Sequence, residues 1–134
     1  MNHKKYLFPL GFILLGLLAF KSDYQDAWVV PGEYQNMKNP TDASDNENLA
    51  IGKNLFSKHC KSCHGAEGYG DGTKAAGLKG DLGDFSSEEF HKQTDGTIFY
   101  KTTFGRDDMP AFDKKLPDDE DRWLLVNYMR TLKE

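Results

Sequence analysis

The sequence predicts a small all-α domain of about four or five helices. Its C-terminal segment repeats apolar residues at helical spacing, other segments place capping residues before apolar runs, and no segment shows the alternation of a half-buried strand. The chain has 134 residues, of which 38% are hydrophobic and 28% are charged, and this length and composition fit one folded domain.

The first helix is expected to begin near Ser44, because Ser44 and Glu47 have the spacing of a capping box. The helical face then contains residues at intervals of three and four: Leu49, Gly52, Leu55 or Phe56, and His59. Glycine inside a helix costs about 1 kcal/mol relative to alanine. Gly52 therefore indicates either the close approach of another helix or simple tolerance of an unfavourable residue.

Three further helices are expected downstream. A short one runs from Ser86 or Ser87 to about Gln93, and the next is capped by Asp95. The last has four acidic residues at positions 118–121 and basic residues near its end, an order that complements the helix dipole. Its apolar stripe contains Leu125, Tyr128, Met129 and Leu132.

The N-terminal part of the chain divides into two segments before the expected folded domain of residues 44–134. Residues 1–22 begin with basic side chains and contain the apolar run 7–20, which is typical of a secretory signal. A helix over that run would span about 21 Å, short of the ~30 Å core of a bilayer. This length favours a cleaved signal peptide over the alternative, an uncleaved N-terminal anchor.

Residues 23–43 are expected to form an extension of the domain. Pro31, Gly32 and Pro40 interrupt this segment, which has no helical period. Its apolar side chains make it too apolar for a free linker: Trp28, Val29, Val30, Tyr34 and Met37. We therefore expect the extension to lie over the domain and cover apolar surface, the alternative being an arm that docks onto a partner.

The segment Cys60-Lys61-Ser62-Cys63-His64 contains both cysteines of the chain in the pattern C-x-x-C-H, which is typical of c-type haem attachment. Two cysteines three residues apart can project from one side of a helical turn and reach the two vinyl groups of one porphyrin. The adjacent histidine then lies under the iron, for which an imidazole nitrogen is a suitable ligand. The sequence thus predicts one covalently bound haem c with helices packed around it.

Two other kinds of site use the same residue types. A thioredoxin-like redox pair would lie in a βαβ pattern, which the sequence does not show. A structural zinc site needs four ligands, and Cys60, Cys63 and His64 with His59 or His91 could supply them. His59 and His64 flank the cysteines too tightly for a tetrahedral site, and His91 lies among charged residues, where we expect it to be solvated.

Met109 is the predicted second axial ligand of the iron. It precedes Pro110 in a loop 45 residues after His64, and the proline restricts the path of that loop. A methionine thioether suits low-spin iron and raises its potential. The alternative is that Met109 only fills core space. Met129 is assigned to the core by its helical position, and Met37 is a weaker ligand candidate.

At these residues the chain resembles the class I c-type cytochromes, over roughly residues 47–133. The resemblance implies that Cys60, Cys63 and His64 bind the haem and that Met109, followed by its proline, completes the iron site. This chain departs from the family pattern at one point. Many members have a proline after the haem motif, and the backbone near that proline orients the axial histidine. Residues 65–84 contain no proline, so the acceptor for the His64 ring N–H is left open.

The resemblance also explains the glycine at position 52, inside the first expected helix. It implies that Gly52 and Phe56 meet the last helix at Leu125 and Tyr128. The missing side chain then lets the two helices cross closely.

The expected function is one-electron transfer between redox partner proteins of the periplasm, without enzymatic activity. The alternatives are a haem subunit of a larger respiratory complex, or a haem enzyme or gas sensor in which Met109 does not bind the iron. The chain has 17 basic and 21 acidic residues, and loss of residues 1–22 removes three basic ones, which leaves a formal charge of −7.

This acidic balance argues against nucleic acid or an anionic membrane surface as partner. It predicts instead a redox protein that presents a basic docking patch. Contact with a membrane is expected only through an uncleaved N-terminus.

Overall fold

A computed structural model describes residues 27–133, so the expected leader at residues 1–22 lies outside the described residues. The helices in chain order are α1 (Gly32–Gln35), α2 (Asn46–His59), α3 (Lys61–His64), α4 (Glu88–Lys92), α5 (Asp95–Phe104) and α6 (Asp119–Arg130). A 3₁₀ turn covers Ala75–Gly77. Within residues 27–133 there is no strand, which confirms the all-α prediction, and no helix there is long and apolar enough to cross a bilayer.

The described residues contain six helices, two more than the four that the sequence located, because α1 and α3 are single turns, too short for a periodic pattern to reveal. Two predicted caps were wrong by one residue. The side chain of Asp45, rather than Ser44, accepts from the first free N–H groups of α2, and Thr94, rather than Asp95, accepts from Thr97 N at the start of α5. The Ser44 hydroxyl instead donates to Asp42 Oδ1 at 2.7 Å.

The crossing of α2 and α6 forms the centre of the fold. A side chain at Gly52 would collide with the backbone carbonyl of Leu124, so the glycine allows the two helices to touch through their backbones. One turn later the Phe56 ring lies 5.3 Å from the ring of Tyr128. Leu125 has no exposed surface. The close helix crossing that Gly52 indicated is therefore present.

The part of the extension that the structure describes lies against α5 and α6. The Tyr34 ring packs edge-on against Tyr100, with ring centroids 4.8 Å apart. Asn39 Nδ2 donates to Asn127 Oδ1 at 2.7 Å, and Asn127 Nδ2 donates to Thr41 Oγ1 at 2.9 Å. Residues 27–43 thus cover the domain through both apolar and polar contacts, as the interpretation that they shield apolar surface requires.

The substitution Gly52→Ala is expected to lower the free energy of unfolding by about 1–2 kcal/mol. A methyl group there must push α2 away from the Leu124 carbonyl, and overpacking costs about 1–3 kcal/mol, while better helix propensity returns at most about 1 kcal/mol. Denaturant unfolding of the haem-loaded protein, followed by circular dichroism, measures the change. Gly77→Ala is the control, because nothing lies within 4 Å of a methyl group at that position. Equal stability of the two variants would contradict the close crossing.

Candidate functional site

A cavity of about 630 Å³ opens between α2, α3, α5 and the loops that precede α4 and α6. This volume lies in the range of small-molecule and cofactor sites. All four predicted site residues line it: Cys60, Cys63, His64 and Met109. Residues that are 45 positions apart in the chain therefore meet in one chamber.

The turn that follows α2 positions the two thiols and the imidazole. Cys60 caps the C-terminal end of α2, with its N–H donating to Phe56 O at 2.8 Å. Its own carbonyl accepts from Cys63 N at 3.1 Å and from His64 N at 2.9 Å. The glycine-rich loop fastens to this turn. Gly72 N donates to Cys63 O at 3.1 Å, and a side chain at Gly72 would collide with the backbone of residues 62 and 63.

The imidazole of His64 is held from two sides. Its ring stacks on Phe85 with centroids 4.6 Å apart. Burial lowers the pKa of His64, and a hydrogen bond to the backbone carbonyl of Leu82 opposes that shift. The Leu82 carbonyl is therefore a candidate for the acceptor that the missing proline left open. The buried Nδ1 atom has no hydrogen-bond partner within residues 27–133, as expected of a histidine whose ring awaits a ligand.

Met109 is held in a tight turn on another part of the cavity wall. Arg106 N donates to Met109 O and Met109 N donates to Arg106 O, each at 2.9 Å. Lys79 N donates to Asp108 Oδ2 at 2.7 Å, which ties this turn to the loop that carries Leu82. The Met109 side chain is half-buried, consistent with a side chain that belongs to the cavity wall.

The other residues considered as ligands lie elsewhere or have another role. Met129 is buried in the core, as predicted, and also lines the cavity, whereas Met37 is 37% exposed and lies outside it. His91 does not line the cavity, and the expectation that it is solvated was wrong for its ring, since Nε2 is buried without a hydrogen-bond partner in the described part of the chain. His59 lines the cavity next to Cys60.

The chemistry of the cavity fits haem better than the alternatives. Between residues 27 and 133 no group of three or more His, Cys, Asp or Glu side chains could hold a metal ion, which argues against a zinc site. Cys60 and Cys63 are not joined as a disulfide, and burial, with a smaller effect of Cys63, raises the pKa of Cys60 to about 12. A thioredoxin-like pair needs a thiol with a lowered pKa. Two thiols, an imidazole and a thioether in one apolar chamber are the donors that a c-type haem uses.

Several residues of the cavity wall were not predicted as site residues from the sequence. The apolar part of the wall includes Phe85, Phe90, Ile98 and Phe112, and its charged part includes Lys101 and Arg106. Trp28 also lines the cavity, although it comes from the extension. Lys101 interrupts the apolar face of α5 that carries Ile98. A charged residue on such a face is a sequence signal that could have indicated a functional residue.

The fold and this site define a class I c-type cytochrome with covalently bound haem c, a carrier of electrons. Residues 47–129 match the family described as cytochrome c oxidase, cbb3-type, subunit III, and the chain belongs to this family.

The solved structures that resemble the chain include the following two. One is from the Kuenenia stuttgartiensis reducing HAO-like protein complex Kustc0457/Kustc0458, with 27% identity and a TM-score of 0.56. The match covers 76% of this chain and 53% of the other, so this chain spans about half the length of that protein. The other is the KustC0563 c-type cytochrome, with 30% identity and a TM-score of 0.54, over 62% of this chain and 98% of that one. No curated protein matches the chain.

The pKa of His59 is expected to lie below the ordinary histidine value, because burial and then the charges of Lys58 and Lys115 disfavour its protonated form. Since the folded state then binds this proton more weakly than the unfolded chain, the contribution of His59 to stability should fall as the pH drops through about 6.5. NMR titration of the reduced protein measures the pKa. Lys115→Gln should raise it, whereas Lys92→Gln should leave it unchanged. A His59 pKa that does not respond to Lys115→Gln would contradict this electrostatic origin.

Proposed function

We propose that the protein is an exported, periplasmic monohaem cytochrome that passes one electron at a time between redox partner proteins. The observation that carries this proposal is the meeting of Cys60, Cys63, His64 and Met109 in a single apolar cavity. The haem supplies an iron that alternates between the ferric and ferrous states. The chain supplies attachment, ligation and exclusion of water.

The four residues divide three roles in this proposal. The thiols of Cys60 and Cys63 would hold the cofactor as thioethers at the turn after α2. The His64 imidazole would be one ligand of the haem iron, oriented by the Leu82 carbonyl and the Phe85 ring. The Met109 thioether would be another, held in place by the hydrogen-bonded turn from Arg106 to Met109.

A carrier is favoured over a haem enzyme or gas sensor because two protein ligands leave no position on the iron for a substrate. Enzymatic haem sites keep an open or readily vacated position for their substrate. Outer-sphere transfer needs no such position. It needs only that the haem lie close to the surface, and the cavity that would hold it is bounded partly by exposed residues such as Asp107 and Asp108.

A second candidate function is that of a haem subunit in a larger redox complex. The matched family is described as an oxidase subunit, and one similar structure belongs to a protein complex. The chemistry at the haem would be the same, but the chain would be held by its neighbours instead of diffusing between them. Co-purification from the native host at native expression level separates a free carrier, which elutes alone, from a subunit.

Covalent attachment through Cys60 and Cys63 is expected to keep the haem on the protein during acid–organic extraction. Replacement of both cysteines by serine should give a mostly unfolded chain without haem, because the small core loses much of its apolar volume. The absorbance of the extracted organic phase and the mass of the intact protein measure attachment. Haem that leaves the wild-type protein on extraction would disprove the thioether assignment.

Ligation by Met109 predicts a low-spin ferric protein with a weak sulfur-to-iron charge-transfer band in the far red. Met109→Ala should remove the band, allow fast binding of carbon monoxide to the reduced protein, and lower the midpoint potential, because the Met/His pair raises it. Optical spectra and redox titration measure these changes.

Met37→Leu is the control, because Met37 is partly exposed and lies outside the cavity, and it should keep the far-red band. Survival of the band in Met109→Ala would refute the ligand assignment. A wild-type protein that binds carbon monoxide at once would place the enzyme or sensor hypothesis ahead of the carrier.

A further inference from the structure

The His64 imidazole is the first of three stacked rings that lead from the cavity to α4. Its centroid lies 4.6 Å from that of Phe85, with 28° between the ring planes. The Phe85 centroid in turn lies 4.6 Å from that of Phe90, with 25° between the planes. Phe90 is buried in the core. The ring column of His64, Phe85 and Phe90 therefore joins the turn after α2 to α4.

Packing against this column is an important means of orienting the His64 ring. A histidine that binds a metal is usually oriented by a hydrogen bond from its other ring nitrogen. Among residues 27–133 the Nδ1 atom of His64 has no hydrogen-bond partner. A stacked ring orients its neighbour only when the supporting ring is itself fixed by packing and hydrogen bonds. The orientation of His64 thus depends on what fixes Phe85 and Phe90.

Phe90 belongs to a helix that is too short to be stable alone. α4 has five residues, Glu88–Lys92, and isolated helices shorter than about 12 residues are marginal in water. The last carbonyls of a helix also lack partners inside the helix. Arg130 supplies partners for them. Its Nη1 donates to Phe90 O at 3.4 Å and to His91 O at 3.2 Å, and its Nη2 donates to Gln93 O.

Arg130 is held in turn by the start of another helix. It is the last residue of α6, and its Nε donates at 2.9 Å to Oδ1 of Asp95, the first residue of α5. Its guanidinium carbon lies 5.9 Å from the centre of the Phe90 ring. A planar guanidinium can serve several carbonyls and a carboxylate at once, which a lysine ammonium does not match in geometry. Arg130 therefore anchors the end of α4 to both α5 and α6.

We propose that Arg130 and Phe90 are positioning residues for the imidazole that binds the iron. Arg130 fixes the end of α4, α4 fixes Phe90, and Phe90 supports the Phe85 ring on which His64 stacks. This inference rests on the proposed function, because it assumes that His64 binds the haem iron. It assigns to a side chain on α6, which does not line the cavity, an effect on the direction of the imidazole plane.

The first test is Arg130→Lys in the haem-loaded ferric protein, followed by proton NMR of the haem methyl groups. The spread of these resonances depends on the direction of the ligand imidazole plane. Arg130→Lys keeps the charge but loses the planar fork, so it should change the spread. Lys133→Gln is the control, because it removes a charge from an exposed residue near the same end of the chain, and it should leave the spread unchanged. The inference is overturned if Arg130→Lys gives the wild-type spread.

The second test asks whether Arg130 acts through Phe90. Phe90→Leu should change the spread, whereas Phe99→Leu should not. Phe99 is equally a buried, stacked ring, 4.0 Å from Trp123, but it lies outside the column and the cavity. The double variant Arg130→Lys/Phe90→Leu should show no more than the change of Phe90→Leu alone, because residues that act in series are not additive. Additive changes, or an equal change in Phe99→Leu, would contradict the proposal.

The far-red band and haem extraction separate this inference from the proposed function. Both Arg130→Lys and Phe90→Leu should keep the far-red band, because Met109 lies on another part of the wall. Retained haem and a retained band, together with a wild-type methyl spread in Arg130→Lys, would reject the positioning role alone. Haem that extracts from the wild-type protein would reject the proposed function itself.

Discussion

The backbone contact between α2 and α6 at Gly52 is the constraint on which the rest of the structure depends. Because position 52 has no side chain, α2 rests directly on the Leu124 carbonyl, and the next turn brings Phe56 against Tyr128. α2 ends only seven residues after this contact, at His59, and the turn with both thiols follows at once. The depth of the helix crossing therefore determines how far the attachment turn stands from the core.

Several side chains belong to both the cavity wall and the core, so cofactor binding and folding stability depend on the same residues. Phe90, Ile98, Phe112 and Met129 belong to the buried apolar cluster and also line the cavity. A domain of about 100 residues buries a limited fraction of its surface, which makes each apolar wall important. Haem in this position would act as the central element of the core, with the chain's own apolar residues as the shell around it.

Charge is distributed differently in the cavity and in the whole chain. The formal charge of the chain is −4, yet the cavity wall carries three basic and three acidic side chains: Lys79, Lys101, Arg106, Asp81, Asp107 and Asp108. At least two of the acids bind backbone groups of the loops, since Asp81 Oδ1 accepts from Gly83 N at 2.8 Å and Asp108 Oδ2 from Lys79 N at 2.7 Å. These carboxylates thus stabilise the loops by accepting backbone hydrogen bonds. The net charge of the chain therefore does not describe the local charge that a redox partner would meet near the haem.

The sequence by itself determined the helical class and the chemistry of the haem motif, because both depend on residues close together in the chain. Helical periodicity is local, and so is the spacing of Cys60, Cys63 and His64. Even local signals were ambiguous where adjacent side chains cap equally well, as with Ser44 and Asp45, since the path of the preceding turn selects between them. Only the tertiary structure decided that the Phe85 ring stacks on the His64 ring, and that Trp28 of the extension lines the cavity. Both contacts depend on surfaces that exist only after the helices have packed.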